Sequence, residues 1–396
     1  MRALNPTAPA REMIRAGWVL DNLHSGLFER LAVRADVDPG SQQLIVGGIG
    51  SGKTTELLLA ENRLMQNENS QPLYIDITRE TDLSALNSGA LLAGFGTHLS
   101  RTFTRNAFGV DDRINTALQE IKDYSYGKIE HIWIPYDEPE SDSDFETDDD
   151  QEGYYRTVQK PGKLKPPFPA IRRDVQSIVE SLSALVEAFN FHQKDVVVIF
   201  DGLDRLIGPE RFWEVAHQDF RVLKRLRISV VSTAPLSVLY GVGRSVSEQF
   251  DVVHHIPPII VTEPQQATYL RMVLSRRADT NLLHESEAEQ LCTYSGGVLR
   301  DLITMARDAG EEAYLRGATE ISGDDVQKAI EQLGTGYLRG LGPAQIKTLR
   351  FVHSKGTFDL RGSGNLELLA TRRVLEYSST DFRVHPALLK ILPDDA

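Results

Sequence analysis

The chain is short of cysteine, of long apolar runs and of positive charge. A single cysteine, Cys292, stands among 396 residues, so no disulfide can form within the chain. That fits a reducing compartment. No apolar stretch approaches the roughly 20 residues that span a bilayer. The opening MRALNPTAPAREMIRAGW lacks the apolar core of a signal peptide. These absences predict a cytoplasmic protein with no membrane partner. The formal net charge of −13 argues against a general nucleic-acid binder.

What is present is ordinary for a soluble globular protein. Hydrophobic residues make up 41% and charged residues 25%. The length suffices for two or three domains. The acidity is local: ten carboxylates and no Lys or Arg lie between Asp137 and Glu152. From Thr335 onward nine Lys/Arg face six Asp/Glu, so the C-terminal part is mildly basic. The acidic run sits in a polar stretch, 105–170, read as an insertion whose centre is a solvated loop. A sharper alternative is a nucleic-acid mimic or a tether for a basic partner.

The apolar pattern divides the chain. Residues 1–40 read as an N-terminal, largely helical segment. Over 41–263, strands Gln42–Val46, Leu73–Ile77, Val196–Phe200, Ile228–Val231 and Val252–Ile256 alternate with helices. Such alternation predicts an α/β fold: a parallel sheet with helices on both faces. After Pro264 the strand signals stop, and 264–334 reads as a four-helix lid, with Ser322 and Asp324 as plausible caps of its last helix. Residues 335–396 give helices Ala344–His353 and Asn365–Thr371, then a hairpin of Val374–Tyr377 and Phe382–His385, the order of a winged helix.

The chemistry begins at Gly47-Gly48-Ile49-Gly50-Ser51-Gly52-Lys53-Thr54, which fits GxxxxGK[ST] between a strand and a helix. A triphosphate needs several backbone N–H groups around it, and glycine permits that approach. Lys53 is expected at the β- and γ-phosphates, Thr54 on Mg²⁺, and Thr55 beside them in the first helical turn, whose dipole adds positive charge. ATP with Mg²⁺ is the expected ligand. The buried strand Val196–Phe200 ends in Asp201, the expected second metal group. Gly202 follows where a base would be useful, and the next carboxylate is Asp204. It either orients water or caps the following helix.

With these residues in place, the sequence resembles the AAA+ and STAND superclass of P-loop ATPases. The lid and C-terminal module are similar in layout to initiator ATPases of the origin-recognition-complex type. The resemblance implies a polar sensor at Ser232 or Thr233, an arginine-finger region at Arg244 and a second sensor at Arg300, after Gly296-Gly297. Gly202 departs from the usual second acid of AAA+, and Asp201-Gly202-Leu203-Asp204 looks closer to a NACHT-like STAND form. Three functions follow from the resemblance. One is a nucleotide-dependent switch controlling assembly with a protein partner or with copies of itself, in regulation or phage defence. Another is a DNA-binding initiator or loader, with Arg350, Lys355, Arg361, Arg372 and Arg373 on phosphates, a reading that the mostly apolar helix at Asn365–Thr371 does not favour. The third is a nucleotide-binding scaffold with little turnover. His353 and His385 have no ligand cluster around them in sequence and read as structural.

Overall fold

The run Leu44-Ile45-Val46 is completely buried, and it lies in an inner strand of a five-stranded sheet. The computed structural model describes residues 2–20, 24, 26–84, 86–135, 153–160, 162–164, 175–206, 208–240, 243–360 and 364–392. The acidic run Asp137–Glu152 and Arg361 lie outside the described residues. The chain divides into two compact units, one of 1–74, 195–213 and 227–396, the other of 75–194 and 214–226.

In chain order the first unit opens with α1 (Ala10–Arg15), α2 (Leu27–Val37), β1 (Gln42–Gly47), α3 (Lys53–Met65) and β2 (Ser70–Asp76). The second unit follows with α4 (Ile77–Glu80), α5 (Ala90–Arg105), α6 (Asp112–Tyr126), β3 (Ile129–Pro135), β4 (Gly153–Gln159) and α7 (Val179–Phe191). The chain then runs through β5 (Asp195–Asp201), α8 (Pro209–Arg225), β6 (Ser229–Ala234), α9 (Arg244–Ser247) and β7 (Val252–Ile256). Next come α10 (Pro264–Ser275), α11 (Glu285–Tyr294), α12 (Leu299–Leu315) and α13 (Gly323–Leu338). The C-terminal module is α14 (Pro343–Lys355), α15 (Asn365–Ala370), β8 (Val374–Ser378), β9 (Asp381–Val384) and α16 (Pro386–Leu389).

The sheet order is β2-β5-β6-β1-β7. β1 pairs in parallel with β6 (Ile45 opposite Thr233) and with β7 (Ile45 opposite His254), and β5 pairs in parallel with β6 (Ile199 opposite Val231). The α/β class read from the alternation is therefore the one observed. Side chains on a strand alternate between faces. Ile45, Val197, Ile199, Val231 and Ile256 thus share one core with Leu27 and Leu31 of α2 and Leu57, Ala60 and Leu64 of α3. Leu57 is fully buried there; trimming it to alanine would cost about 2–5 kcal/mol. Gln43 lies in the same strand without penalty, because its amide donates to the Leu31 carbonyl at 3.1 Å.

Helices α10 to α13 enclose a second core around Leu270, Leu291, Leu302, Met305, Val326 and Ile330. Ser322 caps α13, as its position suggests. Its reciprocal partner is Asp325, three residues on, rather than Asp324. The Asp325 carboxylate also accepts from Arg316 at 2.5 Å, and this contact, the main cause, brings its pKa down to about 2.

The stretch 105–170 holds more order than its polarity suggests. Asp111 accepts the Ile114 N–H at 2.8 Å and starts α6, whose Ile114, Ala117 and Ile121 are buried. β3 and β4 pair antiparallel, Ile129 opposite Gln159 and Pro135 opposite Gly153. The helical spacing was there to be read, but the surrounding charge masked it.

Candidate phosphate site

The glycine loop joins β1 to α3, and its geometry follows from the sequence. Gly50 and Gly52 take φ of 83° and 101°, values that glycine adopts freely. At Gly50 there is also no room for a side chain: a Cβ would lie 2.5 Å from Arg300 Cβ. The loop delivers Lys53 to the first position of α3, where it is only 5% exposed. Its ammonium donates to the carbonyls of Gly47 at 2.8 Å and Gly48 at 2.9 Å. It also lies 2.9 Å from Asp204 Oδ2.

Asp201 ends β5 and is buried. Tyr74 Oη donates to its Oδ2 at 2.6 Å, the Gly202 N–H to its Oδ1 at 2.8 Å, and the Thr54 hydroxyl bonds to the same carboxylate. Burial raises the Asp201 pKa above the ordinary carboxylate range, and those hydrogen bonds only partly offset it. Thr54 and Asp201 offer oxygen donors, the set a hard cation such as Mg²⁺ takes. Among the described residues there is no cluster of three or more His, Cys, Asp or Glu side chains suited to a metal.

Gly202 has φ of 90°. A glutamate here would be strained in this backbone. The turn instead carries Asp204 toward Lys53. Asp204 sits in the short turn Leu203–Arg205, ahead of α8, which begins at Pro209. Thr233 Oγ1 accepts the Leu203 N–H at 3.1 Å and steadies that turn. Ser232 is fully buried, and its hydroxyl donates to the Thr233 carbonyl at 3.0 Å.

Arg300 is the second residue of α12 and packs on Gly50. Burial lowers its pKa, and the nearby Arg372 and Arg205 lower it further. Arg244 is exposed on α9 and pairs with Glu248 at 3.2 Å. Thr55 lies in the first turn of α3 and Ile49 at the loop, 39% exposed.

Several contacts to the site had no sequence signal. His24 Nε2–H donates to the Ser51 carbonyl at 2.9 Å; burial brings its pKa down to about 4, so the ring is neutral near pH 7. Arg11 lies 5.0 Å over the Tyr74 ring and pairs with Glu61 at 2.6 Å. Arg372, from the C-terminal module, pairs with Asp301 at 2.7 Å. Arg373 donates to the Tyr337 and Arg339 carbonyls, both at 2.8 Å. Two of the five cations considered for DNA are therefore engaged inside the protein.

No protein-family model matches the chain, and no curated protein matches it. Solved structures similar to it include the Aeropyrum pernix ORC2 protein in its ADPNP–ADP complexes. That protein is 14% identical, with a TM-score of 0.45 over 92% of this chain and 90% of that one. The Aeropyrum pernix ORC1 protein in complex with DNA is 17% identical, with a TM-score of 0.46 over 96% and 83% of the two chains. The Thermotoga maritima RuvB Holliday junction branch migration motor is 13% identical, with a TM-score of 0.43 over 94% and 95%. No helix among the described residues is long and apolar enough to cross a membrane.

Proposed function

We propose that the chain binds ATP with Mg²⁺ at Gly47–Thr54 and acts as a nucleotide-dependent switch. The observation that carries this reading is the contact of the Thr54 hydroxyl with the Asp201 carboxylate, one residue from the buried Lys53. Loop N–H groups and the start of α3 would cradle the phosphates. Thr54 and Asp201 would hold the metal, which supplies charge neutralisation at the phosphates. Arg300 would meet the phosphates from the lid and link lid position to nucleotide state. Hydrolysis is the reaction this arrangement supports, with Asp204 as the group that aims water once Lys53 has turned to phosphate.

The output of the switch is assembly with a protein partner or with further copies of the chain, in regulation or phage defence. The inward engagement of Arg372 and Arg373 weighs against the alternative of DNA loading. Sizing the full chain without nucleotide, with ADP and with ATP, each with and without duplex DNA, tests the choice. Larger species with ATP alone support the switch. Binding that requires duplex and falls steeply with salt would replace it with the DNA reading.

A further inference from the structure

One buried carboxylate gathers the lid and the C-terminal module. Asp301 follows Arg300 on α12 and is 2% exposed. It accepts from the Tyr337 hydroxyl of α13 at 2.7 Å, from Arg372 Nη1 at 2.7 Å and from His385 Nε2 at 3.2 Å. Burial opposes its ionisation, but these partners outweigh burial and hold its carboxyl below the ordinary range.

Arg372 is unusual in this group in three respects. Its backbone has φ of 63°, a left-handed value, just after α15. Glycine or asparagine is the common choice there, and an arginine in such a place points to a role for the side chain. Its Nη1 lies 3.5 Å from the point a Cβ would occupy on Gly50, so the C-terminal module reaches the phosphate loop. Its Nε is buried without a hydrogen-bond partner. The Cβ of Arg300 packs on the same glycine, and Arg372 is near enough to lower the Arg300 pKa, so two cationic residues border the loop. Asp301 offsets part of this charge, and an anion at the loop would draw on what remains.

We propose that Arg372 is a second phosphate-reading guanidinium, supplied to the loop by the C-terminal module and steadied by Asp301. This rests on the nucleotide reading above. A bound triphosphate would draw Arg372 onto phosphate oxygen and so fix α15 and β8 against the loop. By linkage, whatever releases the module would weaken nucleotide binding by the same factor.

The test is Arg372→Gly in the full chain, which suits the left-handed backbone. MgATP affinity is measured by calorimetry, and amide exchange in Val374–Ser378 is followed with and without MgATP. Without nucleotide the variant is expected to melt below the wild type, because the buried Asp301 loses an ionic partner, so both proteins are compared at a temperature where both are folded. The variant should bind MgATP about 10- to 100-fold more weakly, the scale of a lost charge-assisted hydrogen bond, and lose ATP-dependent protection of that strand. Affinity within about twofold of wild type, with protection retained, overturns the proposal. Should the glycine variant fail to fold, Arg372→Gln gives the same comparison. A wild type that binds no MgATP would sink the nucleotide reading itself, whereas a wild type that binds as tightly as Arg372→Gly would sink only this inference.

Discussion

Asp204 Oδ2 lies 2.9 Å from Lys53 Nζ, so the cation of the phosphate loop already has an anionic partner. Both groups are largely enclosed, with Lys53 5% and Asp204 14% exposed. On the proposed function, an incoming phosphate would take Lys53 from Asp204 and free Asp204 as the nucleotide arrives.

Asp204→Asn removes this competitor without changing size. MgATP should bind about 3- to 10-fold more tightly, corresponding to the ~1 kcal/mol of a partly screened ion pair. Phosphate release should slow at the same time. Calorimetry and a phosphate-release assay on one preparation check both. Weaker binding with unchanged turnover would mean that Asp204 only braces the loop.

Tyr74→Phe removes the hydroxyl that donates to Asp201 Oδ2 at 2.6 Å. The buried carboxylate, already raised by desolvation, loses a hydrogen bond to its charged form and shifts further up. The Mg²⁺ concentration for half-maximal ATP binding should rise about tenfold, the scale of a hydrogen bond to a charged group, and the deficit should narrow as pH rises. An Mg²⁺ requirement that matches wild type at every pH would show that Tyr74 only packs.

Asp219 makes stability depend on pH. It is fully buried on α8 and accepts the N–H groups of Gly89 at 2.6 Å and Leu91 at 2.9 Å at the start of α5. Burial outweighs these bonds and pushes its pKa up to about 7 from 3.8. The folded chain therefore holds a proton that the unfolded chain has released between those values. Stability from this group is complete below about pH 4 and is lost as pH rises through about 7. Urea unfolding of Asp219→Asn against wild type should show a gap that moves in favour of the variant from pH 5 to pH 8, by as much as ~2.5 kcal/mol. A constant gap would contradict the assignment.

The sheet was legible because buried parallel strands are written as short apolar runs, and Val196–Phe200 or Ile228–Val231 cannot be mistaken for surface. The glycine turn between β1 and α3 was legible because glycines at Gly50 and Gly52 set its local backbone. Helix α6 is less legible, because Ile114, Ala117 and Ile121, though at helical spacing, stand among polar and charged residues. Tyr74 and Asp201 are 127 residues apart, and Arg372 meets Asp301 across 71. Such contacts depend on strand order and helix packing, which no local pattern encodes. Arg372 and Arg373 read as surface cations for the same reason.

Calorimetric titration of MgATP into the wild type and into Lys53→Ala is the most direct measurement. The account predicts saturable one-to-one binding to the wild type and at least about 100-fold weaker binding to the variant, roughly 3 kcal/mol, at a temperature where both proteins are folded. Equal affinity for both proteins, or no binding to the wild type, would contradict it.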